Sequence, residues 1–122
     1  MTEPKLPYFN PHDPSEANIR RAVQQLVVVG FPGDSAEPPE FIREALKDTI
    51  GGVILFRRNV RDVEQVASLN EAIHSAAADA PIAPFVAVDQ EGGRVVRVRE
   101  PLTPIPPMRA LGNAGNPELT AA

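Results

Sequence analysis

An apolar run, Phe85-Val86-Ala87-Val88, ends at Asp89, and Gln90-Glu91-Gly92-Gly93-Arg94 follows, with Arg97 three residues further on. Two carboxylates, an amide, two glycines and two guanidinium groups thus crowd into one short stretch. Four uses compete for such a set. Asp89 and Glu91 would make the acid and base of a glycosidase, but two carboxylates so close on one tight loop rarely flank a substrate from opposite faces. Gly92-Gly93 would cradle a phosphate, but a lone Gly-Gly lacks the longer glycine spacing, and the two acids repel an anion. Asp89 would pair with Arg94 or Arg97 simply to hold the loop. In the fourth use the loop clamps a polyol or sugar: carboxylate oxygens accept from neighbouring hydroxyls, an arginine donates to others, and the bond-breaking groups lie elsewhere. The residues alone leave the last two open.

Other polar groups have plainer explanations. Arg57-Arg58 reads as the cap of a strand-end loop that balances nearby carboxylates. Arg20-Arg21 and Lys47-Asp48 read as solvated helix faces. The two histidines, His12 and His74, fall in an N-terminal arm and on a helix, where neither is placed to catalyse. No metal-ligand spacing and no nucleotide fingerprint is found, so no cofactor is implied.

Composition narrows the classes. The chain has 122 residues, with 12 basic and 16 acidic side chains and a net charge of −4, which gives no general attraction to nucleic acid or to an anionic membrane. Cysteine is absent, which excludes disulfides and thiolate chemistry. Met1 to Pro7 shows no basic head followed by an apolar stretch, and no apolar run reaches the ~18 residues that suggest a bilayer span. The expectation is a soluble cytoplasmic protein.

The elements that must position the Asp89 loop follow from periodicity. Residues 1–14 hold four prolines and few aliphatics, and read as a tail or extended arm. Asp13-Pro14-Ser15-Glu16 starts a helix whose Ile19, Ala22, Val23 and Leu26 share one face. Leu26 to Phe31 is a β-branched run suited to a strand buried on both faces. Pro39 to Lys47 reads as a short helix, apolar at 41, 42, 45 and 46, and Val53-Ile54-Leu55-Phe56 as a second buried strand. Asp62 and Gln65 form a capping box for a longer helix with Val66, Leu69, Ile73 and Ala76 or Ala77 inward. Phe85 to Val88 is the third strand, and residues 101–112 form a proline-stiffened loop with about one helical turn. Asn116-Pro117-Glu118-Leu119-Thr120 reads as another helix start. Strands beginning near 26, 53 and 85 recur at the length of a βα unit. An eight-unit barrel takes roughly 250 residues, so about three units are present. The expected fold is α/β: a tail over 1–14, and over 15–122 the N-terminal portion of a barrel or doubly wound sheet that needs a partner for its open edges.

One resemblance bears on the choice. Val86-Ala87-Val88-Asp89-Gln90-Glu91-Gly92-Gly93-Arg94-Val95 is similar to a signature of the bacterial β-N-acetylhexosaminidases of glycoside hydrolase family 3. Val29-Gly30-Phe31 with Gly33, Ile50 to Phe56 with Arg58-Asn59, Leu69-Asn70, and Pro104 to Leu111 resemble the same family in the same order. The resemblance covers about residues 24–112. It implies a TIM-type (β/α)₈ barrel that removes terminal N-acetylglucosamine, notably from muropeptides in cell-wall recycling, by double displacement. It also implies that Asp89 binds hydroxyls of the terminal sugar, that Arg97 lines the same pocket, and that Glu91 is not the nucleophile. The family's Lys-His pair, catalytic His and nucleophilic Asp have no counterpart in this sequence. The chain is therefore expected to hold substrate-binding residues, Asp89 and Arg97, and no catalytic ones. Its expected partners are an N-acetylglucosamine-containing glycan and the remainder of the barrel. Two alternatives stand beside this: a non-catalytic truncated or split-barrel remnant, and a β-glucosidase-type specificity within the family.

Overall fold

The computed structural model describes residues 10–116 and 118. Residues 1–9 of the proline-rich arm, and most of the helix start at 116–120, lie outside the described residues.

The first helix, α1 (Glu16–Gln25), begins where the sequence places it: Ser15 is the N-cap, and its side chain accepts from the Asn18 backbone N–H. Its buried residue, however, is Asn18, whose amide donates to the carbonyls of Asn10 and Asp13 at 2.6 and 2.7 Å and pins the arm to the helix. Ile19, Val23 and Leu26 stand exposed, so the apolar stripe forms and is left uncovered. Strand β1 (Val28–Val29) is shorter than the run from Leu26 to Phe31 suggests. Leu26 is used to cap α1, and Phe31 drops out of the sheet into the core.

Helix α2 (Glu40–Asp48) buries Ile42 and Leu46 and leaves Phe41 at the surface. Strand β2 (Gly52–Leu55) runs parallel to β1, with Val28 opposite Gly52 and Val29 opposite Val53. A 3₁₀ turn, Arg57–Asn59, leads to helix α3 (Val63–Ala76). The Asp62 carboxylate caps α3 by accepting from the Gln65 N–H at 2.7 Å. The return half of the expected box is displaced by one residue, because Gln65 Oε1 accepts from the Arg61 N–H and not from Asp62. Leu69, Ile73 and Ala77 are buried, with Val66 and Ala76 packed against the same cluster. Strand β3 (Phe85–Val88) pairs with β2 from Gly52–Phe85 to Leu55–Val88, giving a three-stranded parallel sheet in the order β1-β2-β3. A last helix, α4 (Met108–Ala114), is longer than the single turn expected after the prolines.

The core lies on one face of this sheet. Val53 and Leu55 alternate toward α2 and α3, where they meet Phe31, Ile42, Leu46, Leu69 and Ile73. Val29 and Val86, level with Val53, pack against the same cluster. The register puts Val28, Gly52 and Phe85 on the opposite face, and there Phe85 is 75% exposed and Val28 45%. The expectation that all three strands are buried on both faces is thus corrected: among them only β2, flanked by a strand on each side, is mostly buried, with Ile54 half-buried. The two outer strands each have one edge and one face open, which no choice of β-branched residues can close.

Candidate functional site

The strands are parallel, so the residues after β2 and after β3 leave the sheet at the same end. That end holds the polar groups singled out by their spacing.

Asp89 follows β3 directly, and its N–H stays on the ladder by donating to the Leu55 carbonyl at 3.3 Å. Its carboxylate accepts from Arg97 Nη2 at 2.6 Å, with the two side chains 25% and 20% exposed. The pair is therefore more sheltered than an ordinary surface ion pair. It also has capacity to spare. Arg97 Nε is buried without a hydrogen-bond partner, and Asp89 Oδ1 accepts no hydrogen bond among the described residues. The free Asp89 oxygen, at a strand end, can accept from a hydroxyl without the pair first breaking.

Gln90 keeps Arg97 in reach. Its Oε1 accepts from the backbone N–H groups of Arg97 and Val98 at 2.7 and 3.2 Å, and its Nε2 donates to the Val98 carbonyl at 2.9 Å. One amide side chain thus closes the whole loop. The turn inside that loop needs both glycines. Gly92 and Gly93 have φ of 81° and 57°, and a Cβ on them would meet the Pro106 carbonyl oxygen at 2.4 Å and Pro107 Cγ at 2.5 Å. The close approach is to the chain's own proline segment, which explains why that segment follows. Arg94 and Glu91 are exposed on the turn, and neither joins an ion pair among the described residues. Of the two arginines set beside Asp89 by spacing, the fold brings only Arg97 to it.

After β2, Asn59 is fully buried and does the structural work that the arginines before it were expected to share. Its Nδ2 donates to the carbonyls of Phe31 and Gly33, both at 2.8 Å, and its Oδ1 accepts from the Phe56 N–H at 2.9 Å. Arg58 Nε donates to the Phe31 carbonyl as well, with the guanidinium 4.9 Å from the centre of the Phe56 ring. An asparagine after a strand reads locally as a turn residue, and its position directly after an Arg-Arg pair disguises a buried role. The histidines are elsewhere: His12 is in the exposed arm, and His74 lies on the exposed side of α3 with Nδ1 2.9 Å from the Asn70 carbonyl.

With this geometry in place, the comparisons decide the family. The model of the glycosyl hydrolase family 3 N-terminal domain matches residues 18–122. The chain belongs to this family. Among relatives of the family 3 domain, a β-hexosaminidase of Thiobacillus denitrificans is 52% identical over 75 residues, covering 61% of this chain and 20% of that protein. A β-hexosaminidase of Vibrio cholerae serotype O1 is 48% identical over 82 residues, covering 67% and 23%. The structure of a family 3 β-N-acetylglucosaminidase from Paenibacillus sp. str. FPU-7 superposes with a TM-score of 0.70 at 38% identity, over 83% of this chain and 19% of that one. NagZ from Neisseria gonorrhoeae in complex with N-trifluoroacetyl-D-glucosamine gives 0.59 at 35% identity, over 71% and 24%. The family 3 chain therefore spans about a fifth of the length of the curated relatives it matches.

Proposed function

We propose that this family 3 chain forms the sugar-holding part of a β-N-acetylhexosaminidase that removes terminal β-linked N-acetylglucosamine from muropeptide glycans. The observation that carries the reading is the Asp89–Arg97 pair: a sheltered carboxylate and guanidinium at a parallel strand end, with one carboxylate oxygen left free. Asp89 Oδ1 accepts from a sugar hydroxyl, and the Arg97 fork donates to another. The pairing with relatives called β-hexosaminidase and β-N-acetylglucosaminidase supports the sugar class. In this reading the three βα units are the first portion of a (β/α)₈ barrel whose remainder supplies the acid, base and nucleophile, and no cofactor takes part. The bare sheet face at Val28 and Phe85 is what such an arrangement requires, since an isolated parallel sheet does not leave a large apolar face to water. Peptidoglycan recycling in the cytoplasm is the setting we propose from the resemblance; fractionation of cells carrying a tagged copy checks the location.

The deciding experiment is a titration of the isotope-labelled chain with N-acetylglucosamine, with glucose as competitor. The expected result is movement of the Asp89, Gln90 and Arg97 signals by the first sugar, at least several-fold weaker movement by the second, and loss of both in Asp89→Ala. If Asp89→Ala alters stability while the sugar response is unchanged, the pair is a loop strut and the reading fails. The 122-residue chain alone is expected to show no turnover of an aryl N-acetylglucosaminide.

A further inference from the structure

The proline segment serves the Asp89 loop with one side only. The Gly93 N–H donates to the Ile105 carbonyl at 3.0 Å, and the Pro106 carbonyl and Pro107 ring lie close over Gly92 and Gly93. The rest of the segment faces water. Residues 101–110 are all exposed, and among them are three large apolar side chains: Leu102 at 51%, Ile105 at 43% and Met108 at 54%. The conformation follows from the residue order. Pro104, Pro106 and Pro107 fix their own φ and keep Thr103, Ile105 and Pro106 out of the helical region. Pro107, with φ −58° and ψ 138°, lies in the polyproline II basin. That conformation takes three residues per turn, which is the spacing at which Leu102, Ile105 and Met108 recur. It makes no internal hydrogen bonds, and the Thr103 and Pro104 carbonyls accept none among the described residues. At its far end Pro107 and Met108 border a space of about 270 Å³ with Arg94, Arg109 and Glu91. Neither arginine joins an ion pair among the described residues. On its other flank Leu102 and Ile105 border a cleft of about 280 Å³ with Val96, Val98, Gln90 and Thr103.

We propose that residues 102–109 are a docking ridge for a protein partner whose groove is lined by aromatic side chains and edged by carboxylates. Flat aromatic faces pack against proline rings and against Leu102, Ile105 and Met108, and a groove tyrosine or tryptophan donates to the bare carbonyls. One aromatic side chain enters the cleft beside Val96 and Val98 as an anchor. The carboxylates meet Arg94 and Arg109, which outnumber Glu91 at that end. The prolines order the segment before it is bound, so docking costs it little conformational entropy. A lipid surface fits less well, since it reads no three-residue spacing and the chain as a whole carries a net charge of −4. The ridge uses neither Asp89 nor Arg97, so the proposal goes beyond the sugar-holding reading and does not depend on it.

The probe is an SH3 domain with an acidic loop beside its aromatic groove. Pro104-Ile105-Pro106-Pro107-Met108-Arg109 has the P-x-x-P spacing that such grooves read, with an arginine two residues on. The isotope-labelled 122-residue chain is titrated with this domain. Signals of Leu102, Ile105, Met108 and Arg109 are expected to shift, and to stay in place with an SH3 domain whose groove tryptophan is replaced by alanine. Met108→Ser/Arg109→Glu should weaken binding by about tenfold or more. Arg109→Glu alone, at an exposed side chain, should remove part of the affinity and serves if the double variant misfolds. Raising the salt should remove a similar part. Ridge signals that stay unmoved at millimolar SH3 domain overturn the proposal, as does binding that both substitutions leave intact. Shifts centred on Val28 and Phe85 overturn it too, because they mark contact with the bare sheet face. Vesicles of anionic phospholipid complete the test: if they move the ridge signals more than the SH3 domain does, the surface reads lipid and the protein partner is wrong.

Discussion

Asn59 joins three segments: its side-chain amide links the residues after β1, through the Phe31 and Gly33 carbonyls, to the end of β2 at Phe56, and its backbone carbonyl accepts from Gln65 Nε2 of α3 at 3.2 Å. Removing its side chain takes that partner from the part-buried Phe56 N–H and from the Gly33 carbonyl, and empties a fully buried position. Asn59→Ala is expected to cost about 2–3 kcal/mol, read as a lower urea midpoint with an unchanged slope. At Asp89 the expected loss is of binding and not of fold. Asp89→Asn keeps the shape but removes the charge that holds Arg97, so N-acetylglucosamine affinity should fall about tenfold while the urea midpoint moves little. Glu91, on the same loop but exposed and outside the ion pair, provides the contrast: Glu91→Gln should leave that affinity unchanged, and a loss as large as that of Asp89→Asn would return the carboxylate-pair reading to contention.

At the scale of elements, the loop after β3 depends on its glycines and α3 on its cap. Gly92→Ala places a Cβ on a left-handed residue, within 2.4 Å of the Pro106 carbonyl oxygen, so the proline segment must move away. The expected readout is loss of the Gly93 N–H to Ile105 carbonyl bond, seen as faster amide exchange at Gly93, together with weakened sugar binding. The Asp62 cap gives a pH dependence. Its carboxyl is held below the ordinary aspartate value, first by the Gln65 backbone N–H and then by Arg61. A depressed folded value means that the stabilisation is fully present above the unfolded value, about 3.9, and is lost as pH falls through the lower folded one. Helicity should therefore drop in acid with a component that Asp62→Asn removes; an identical acid profile in the two proteins would rule the cap out as its source. The helix starts at Ser15 and Asp62 were legible because capping is local chemistry. Strand lengths were not, since Leu26 and Phe31 were claimed by a helix end and by the core.

For the whole molecule the dominant fact is an uneven core. One face of the sheet is packed by α2 and α3, while Phe85 and Val28 on the other face and Ile19, Val23 and Leu26 on α1 stand open to water. Exposed apolar area of this kind marks a surface that associates. The 122-residue chain in isolation is expected to bind a hydrophobic dye and to self-associate as its concentration rises, while a monodisperse monomer with sharp cooperative unfolding would contradict this. Phe85→Ser, on the bare face, should lower dye binding without the cost of a core substitution, because its side chain is already mostly in solvent.

The amino-acid order alone determined the alternation of helices with short apolar strands and the placement of Asp89 at a strand end. Each of these depends on near neighbours in the chain, where periodicity, capping and backbone freedom act. Only the tertiary structure decided that Arg97 and not Arg94 meets Asp89, that Gln90 is the clasp, and that Asn59 is a buried hub. Those outcomes turn on which side chains a fixed parallel register and two glycine-bent residues bring within hydrogen-bond reach, and spacing along the chain carries no measure of that distance.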